Sequence, residues 1–303
     1  MASAAVVSEE AGLRRRGQIY VALAAVAWST AGVLQRQLTL DTSTQVFGRA
    51  AFAGAALLGY VAIVERGQVV RGFKSIGGAG IAVALCVATA SGCFISALNH
   101  ASVARVLFIL AVAPVLAALL ARATLGEPIS RRTALAMVLA LSGVAVMLGS
   151  PGEASLTGDG LAFVAALAFS AMIVITRWRR EVSMAPATCL SQVILVAAFL
   201  PFASPGEISG DDLAWLAALG IGQIGLGFAL LTVGARLIPA AQVGLITLLE
   251  VALGPVWVWL ALDERPGTLT LVGGAIVIVA IVLQTRESPS PDAGEDLPLT
   301  APH

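Results

Sequence analysis

Apolar residues occupy the chain in ten long runs, at residues 18–37, 44–64, 76–98, 102–122, 132–149, 157–177, 186–203, 213–235, 239–261 and 268–285. Each comes close to the roughly 20 residues that a helix needs to cross a bilayer. The intervals are short and carry Gly, Pro, Ser and charge, as between Glu65 and Lys74 or between Ser204 and Asp212. The pattern predicts an all-α integral membrane protein of ten helices. Arg14, Arg15 and Arg16 before the first run imitate a signal peptide, but that run contains Trp28 and outlasts an ordinary h-region, so it reads as the first span. Residues 1–17 are then an N-terminal segment. Residues 286–303, rich in Pro, Asp and Glu, form a tail with no apolar period and are expected to be disordered.

Charge orients the ten runs. One side collects Arg14, Arg15, Arg16, Arg66, Arg71, Lys74, Arg122, Arg131, Arg132, Arg177, Arg179, Arg180, Arg236 and Arg286, fourteen in all. The other side holds three, Arg36, Arg105 and Arg265. Cytoplasmic loops gather Lys and Arg, so both termini are expected in the cytoplasm of a cell whose inner membrane the chain crosses. The opposite loops carry acids, among them Glu153, Asp159, Glu207, Asp211 and Asp212.

Composition agrees and narrows the function. Of 303 residues, 58% are hydrophobic and only 12% are charged, about half the charge of a soluble domain. A net charge of zero gives no electrostatic case for nucleic acid. Cys86, Cys93 and Cys189 lack the spacing of a zinc or redox site, and no cofactor is expected. There is no nucleotide-binding loop, no HExxH and no GxSxG, and one of the two histidines falls in the tail. An intramembrane enzyme is therefore a remote reading, as is a scaffold without transport.

The chain also repeats itself. ASVARVLFILAVAPVLAALLARATLGE, from Ala101 to Glu127, returns as IPAAQVGLITLLEVALGPVWVWLALDE, from Ile238 to Glu264, 137 positions later. AAVAWSTAGVLQR, from Ala24 to Arg36, returns as AALAFSAMIVITR, from Ala165 to Arg177, 141 positions later. Residues 18–149 and 157–285 thus read as two five-helix units. Five is odd, so the second unit inserts inverted, an architecture found in secondary transporters with substrate held near the midplane. Glu250 stands where the first unit has Ala113.

On these residues the chain resembles the EamA-type drug/metabolite transporters. The matching features are the Gly126-Glu127 and Asp263-Glu264 corners, the Trp28-Ser29 pair, Arg49 within QVFGRAAFAG, and the Ala-x-x-Ala start of the fourth helix. Ile238 departs from that start in the ninth helix, and the mid-helix Glu-Pro of the family is split between Glu250 and Pro114. The bacterial YddG-type amino-acid exporters are the first branch to compare. The resemblance implies alternating access and export of small metabolites, amino acids first and cationic drugs with protons as the alternative.

An acid at the bilayer centre costs about 2.5–3.5 kcal/mol, which makes Glu250 the leading pathway candidate. Gln242, Gly254 and Trp257 share its helical face. Further candidates are Trp28 and Gln35 on helix one, Arg49 on helix two, Cys93 and Ser96 on helix three, Gln192 on helix seven and Gln223 on helix eight. Snorkelling explains Arg49 as well as a gating or carboxylate-binding role does. Asn99, His100 and Arg105 cluster at an outer turn, where capping and solvation outweigh an entrance rim. Glu127 and Glu264 are expected to bond the starts of helices five and ten or to pair with arginines. Pro114 and Pro255, with Gly254, are expected to kink helices four and nine as hinges. The partners implied are a small-molecule substrate and the lipid bilayer, and a homodimer stays open.

Overall fold

The computed structural model describes residues 2–35, 37–98, 100–101, 103–149, 155–263 and 266–285. The tail 286–303, Arg36, Asn99, Glu153, Glu264 and Arg265 lie outside the described residues. Among the described residues the secondary structure is helical, with ten helices long and apolar enough to cross a membrane. We number them α1 to α10. α1 is Ala2–Ser29, continued by Ala31–Gln35; α2 is Thr42–Val64; α3 is Gly77–Leu98. α4 is Val103–Leu110 followed by Ala113–Leu125, α5 is Arg131–Leu148 and α6 is Leu156–Trp178. α7 is Ala185–Phe199 with a 3₁₀ turn to Phe202, and α8 joins Gly210–Ala217, a π-helical stretch Ala218–Gly225, and Leu226–Gly234. α9 is Ala240–Thr247 followed by Leu249–Leu262, and α10 is Thr268–Thr285.

Many helix starts are written locally. Asp41 caps α2 by accepting from Thr44 N–H, Ser130 caps α5 through Thr133 N–H, and Ser155 caps α6 through Gly158 N–H. Ser209 and Asp212 form a reciprocal capping box at α8. These side chains occupy the orphan donors of a first helical turn. α4 ends at Gly126 with φ 70°, the left-handed stop that glycine adopts without strain.

Large apolar side chains lie on the outside of the bundle. Ile63, Leu135, Val138, Leu260 and Leu269 are all more than half exposed. Against lipid this is the expected arrangement, since hydrocarbon gives helices no reason to hide leucine. Small residues instead bring backbones together inside. Gly143 of α5 meets the carbonyl of Gly273 in α10, where an added Cβ would stand 2.8 Å from that oxygen. Gly48 of α2 receives Leu216 of α8, and Gly54 receives Gln192 of α7. Gly234 of α8 lies on Val21 of α1. Where α4 and α9 cross, a Cβ at Gly244 would come within 2.7 Å of Pro114 Cα.

Two outcomes follow from these contacts. Gly273→Leu, whose added atoms meet Met147 N at 2.5 Å, is expected to destabilise the detergent-solubilised protein by about 1–3 kcal/mol. Gly160→Leu, with open space beside it, is the control in the same thermal melt; equal losses would show that the α5–α10 contact contributes nothing. At α2, the Thr44 hydroxyl and then its N–H hold the Asp41 carboxyl below the usual carboxylate range. That cap is complete above the ordinary carboxylate value and is lost as pH falls through the lowered one. Asp41→Asn should remove this portion of acid sensitivity, read from melting temperature between neutral and strongly acidic pH.

Candidate functional site

Among the described residues α1 is interrupted toward its end and α4 and α9 within their spans, and hydroxyl groups or a proline account for each break. In α1, Ser29 Oγ donates to Val26 O at 2.6 Å and Thr30 Oγ1 to Ala27 O at 2.7 Å, which ends the first segment at Ser29. In α4, Pro114 has no N–H to continue the ladder, and Val112 N–H bonds Ile109 O, three residues back. In α9, Thr247 Oγ1 takes the carbonyl of Gly244 at 2.7 Å, and Leu248 N–H turns to Leu245 O. Side-chain hydroxyls of this kind compete with the helix ladder. The breaks at Ala111–Val112 and at Leu248 fall at matching positions of the two sequence copies. Pro255 was expected to make the second break. It lies instead inside the segment Leu249–Leu262, and the break falls at Leu248, where the Thr247 hydroxyl takes the Gly244 carbonyl.

Trp28 lies buried at the centre of the bundle. Its indole meets Phe169 of α6 at 6.0 Å and Phe228 of α8 at 5.3 Å, both edge to face. Gly227 of α8 leaves room for it, since a Cβ there would overlap the indole nitrogen. Among the described residues the Trp28 Nε1 has no hydrogen-bond partner. Phe169 is the residue that matches Trp28 in the second copy, so two equivalent rings touch. The adjacent serines also act alike. Ser29 accepts from Trp257 Nε1 of α9 at 2.7 Å, and Ser170 of α6 donates to Ala113 O of α4 at 2.9 Å. Each copy's first helix is thereby tied to the fourth helix of the other copy.

Glu250 begins the second segment of α9 and is half-buried. Its carboxyl has no hydrogen bond or ion pair among the described residues. Gly254 and Trp257 continue its face toward α1, with the Gly254 position 4.0 Å from Ser29 O. Gln242 shares the stripe nearer the helix start, buried, with its Oε1 unpartnered. Arg49 is half-buried and likewise unpaired among the described residues. Gly48 faces α8 and Gly54 faces α7, while Ala51, Ala55 and Leu58 are exposed, so Arg49 falls on the inward face of α2. Its carbonyl lies against Gly220, two helical turns from the Gly227 that seats Trp28. Arg49 and the Trp28 level are thus separated by about 10 Å along α8.

Gln223 sits within the π-helical stretch of α8, buried, with Oε1 unpartnered among the described residues. Such stretches are frequent at functional sites. Other candidates lie elsewhere. Gln35 is exposed and bonds Gln45 at 3.3 Å, because the α1 stripe stops at Thr30. Gln192 is buried at the α2–α7 seam and bonds Ser191 Oγ at 3.0 Å. Cys93 and Ser96 are half-buried on the face of α3 that begins with exposed Ile81, Leu85 and Thr89. His100 is exposed and bonds Ser96 O. Arg105 is engaged by Asp159 through two bonds, one of 2.6 Å from Nη2 to Oδ2. Glu127 pairs with Arg177 at 2.9 Å and accepts Ala240 N–H at 3.2 Å, so it caps α9, while Ser130 caps α5. Sequence reading gave Ser29, Ser170, Phe228 and Thr247 no role, though the shared Trp-Ser and Phe-Ser pairs already marked the two serines.

The Ser29–Trp257 bond can be measured directly. A cycle of Ser29→Ala, Trp257→Phe and the double variant should give a coupling of about 0.6–1.7 kcal/mol in thermal or denaturant unfolding. Strict additivity would mean the bond does not form.

The chain matches the EamA-like transporter family twice, over residues 15–149 and 156–286. It is 26% identical over 277 residues to an "uncharacterized transporter" of Archaeoglobus fulgidus, covering 90% of this chain and 97% of that one. It is 30% identical over 223 residues to a "probable terminal-alkyne amino-acid exporter" of Streptantibioticus cattleyicolor, covering 68% and 73%. A protein crystal structure shares the fold at TM-score 0.78 and 18% identity, covering 89% of this chain and 96% of that one. The ten apolar helices and the two matches over nearly the whole described chain make this a multi-pass membrane transporter, and it belongs to the EamA-like transporter family.

Proposed function

We propose that the protein exports small amphipathic metabolites, amino acids foremost, across the inner membrane by alternating access between two inverted five-helix repeats, residues 18–149 and 157–285, with both termini cytoplasmic. The observation that carries this reading is Glu250, a half-buried acid beside a helix break with no partner among the described residues. A carboxylate without a protein partner in hydrocarbon is expensive unless it has a mobile one. The Trp257 ring, held by Ser29, supplies an aromatic wall on the same helical face. A primary ammonium suits this combination, since it can pair with the carboxylate and lie against an indole. The amino-acid exporter of S. cattleyicolor, a relative over two thirds of this chain, favours the same substrate class.

Alternating access is supported by the crossed ties, α1 to α9 and α6 to α4, and by interruptions at matching places in α4 and α9. Half-helices joined by a 3₁₀ turn can change angle without breaking a full ladder. Trp28, Gln223, Gln242 and Arg49 complete the inward polar set, and Pro114 stands at the α4 pivot, while Gly254 lies inside the second segment of α9. The carboxylate and indoles would also receive a cationic drug exchanged for protons. A substrate panel separates the two.

Purified protein in liposomes, loaded in turn with amino acids and cationic drugs, is expected to show counterflow of labelled amino acids. Glu250→Gln should lower it about 10- to 100-fold, the worth of a hydrogen bond to a charged group. An unchanged rate and pH profile in that variant would remove Glu250 from the mechanism. Counterflow of drugs alone would replace the amino-acid reading.

A further inference from the structure

α4 and α6 are joined at three depths. Near their starts, Arg105 grips Asp159 through two nitrogens. At the middle, Ser170 Oγ bonds Ala113 O at 2.9 Å, beside the α4 break. Near their ends, Arg177 Nε meets Glu127 Oε1 at 2.9 Å. α9 is the counterpart of α4 and α1 that of α6, and among the described residues this second pair lacks the first of these joints. The residues that match Arg105 and Asp159 are Gln242 and Gln18. Gln242 leaves its amide oxygen unpartnered among the described residues, and Gln18 bonds Thr285 O of α10 instead. One helix pair is therefore stapled with charge where its counterpart carries neutral amides.

The same two residues that close the α4–α6 pair at its basic end also reach across to α9. Glu127 uses its second oxygen, Oε2, to accept Ala240 N–H in the first turn of α9 at 3.2 Å. Arg177 uses Nη1 to donate to Arg236 O, just before α9, at 2.8 Å. Ile238, between these two bonds, is fully buried, and Gly17 of α1 lies against it. A carboxylate at a helix start also favours the positive end of the helix dipole. Further in, α4 and α6 touch the other pair through Pro114 on Gly244 and through Phe169 on Trp28. Those contacts are steric and aromatic, with no bond that opening must break.

Resting on the transporter reading above, we propose that α4 and α6 move as one beam, and that Glu127 and Arg177 are the latch closing the seam between that beam and the start of α9 on the arginine-rich face. Opening that face breaks the bonds from Glu127 Oε2 to Ala240 N–H and from Arg177 Nη1 to Arg236 O. The Glu127–Arg177 pair itself survives, so neither charge is left alone in either state. The beam pivots where Pro114 rests on Gly244.

Two measurements test this on the full chain with Cys86, Cys93 and Cys189 replaced by Ala. First, Ile238→Cys reports the seam through its rate of alkylation by an impermeant maleimide, applied to membrane vesicles from the arginine-rich face. Glu127→Gln is expected to raise that rate at least fivefold, and Glu181→Gln, which removes an exposed pair with Arg179, to leave it unchanged. Equal rates in all three would overturn the latch. This readout needs no substrate, so it stands even where counterflow fails. Second, Glu127→Cys with Ala240→Cys, bridged by a short bifunctional thiosulfonate, should stop counterflow at least tenfold, with recovery on reduction. Bridging Arg105→Cys with Asp159→Cys should leave flux within twofold. Flux that survives the first bridge, or is stopped by the second, sinks the proposal.

Discussion

A helix interrupted inside a bilayer frees backbone groups that no water can absorb, and everything central in this transporter depends on how those groups are satisfied. The breaks in α1 and α9 are made by hydroxyls that bond carbonyls three residues back, so each break brings its own compensation. The break in α4 arises from Pro114, and Ser170 of α6 bonds the neighbouring Ala113 carbonyl. Break and fastening are therefore one feature. Moving a pivot elsewhere would strand a carbonyl or an N–H at about 1–3 kcal/mol each.

The glycines follow from the same economy. Hydrocarbon offers no hydrophobic force between helices, so contact must come from close approach and hydrogen bonds. Gly143 and Gly273 bring α5 and α10 to backbone contact, and Gly227 seats the Trp28 indole. Gly244 lets α9 cross Pro114 of α4. Backbone also meets backbone where Gly220 of α8 approaches the Arg49 carbonyl of α2 and where Gly234 approaches the Gly17 carbonyl of α1.

Polarity inside the bundle is sparse and unevenly satisfied. Structural groups are fully engaged, as in Arg105–Asp159, Glu127–Arg177 and Ser29–Trp257. Glu250, Arg49 and the amide oxygens of Gln223 and Gln242 are not engaged among the described residues. Buried polar groups ordinarily find partners, and these leftovers are what the proposed substrate path rests on.

Sequence alone determined the ten spans, because length and hydropathy in a membrane leave a chain little choice beyond helices. It also located Glu250, since an acid in a long apolar run stands out without knowledge of its neighbours. It offered Arg49 two readings, and only the contacts of Gly48 and Gly54 turned that side chain inward. It placed a hinge at Pro255, because proline is the familiar break; the hydroxyl of Thr247, ambiguous in sequence, made the break seven residues earlier. Gln35 matched a helical stripe that ended when Ser29 and Thr30 interrupted α1. Glu127 gave the clearest case of what folding adds. Its position at a helix end was visible, yet its partners, Arg177 and the Ala240 N–H, lie 50 and 113 residues away. Hydropathy is a property of each segment, whereas the partner of a charge is decided only when segments far apart in the chain are packed side by side.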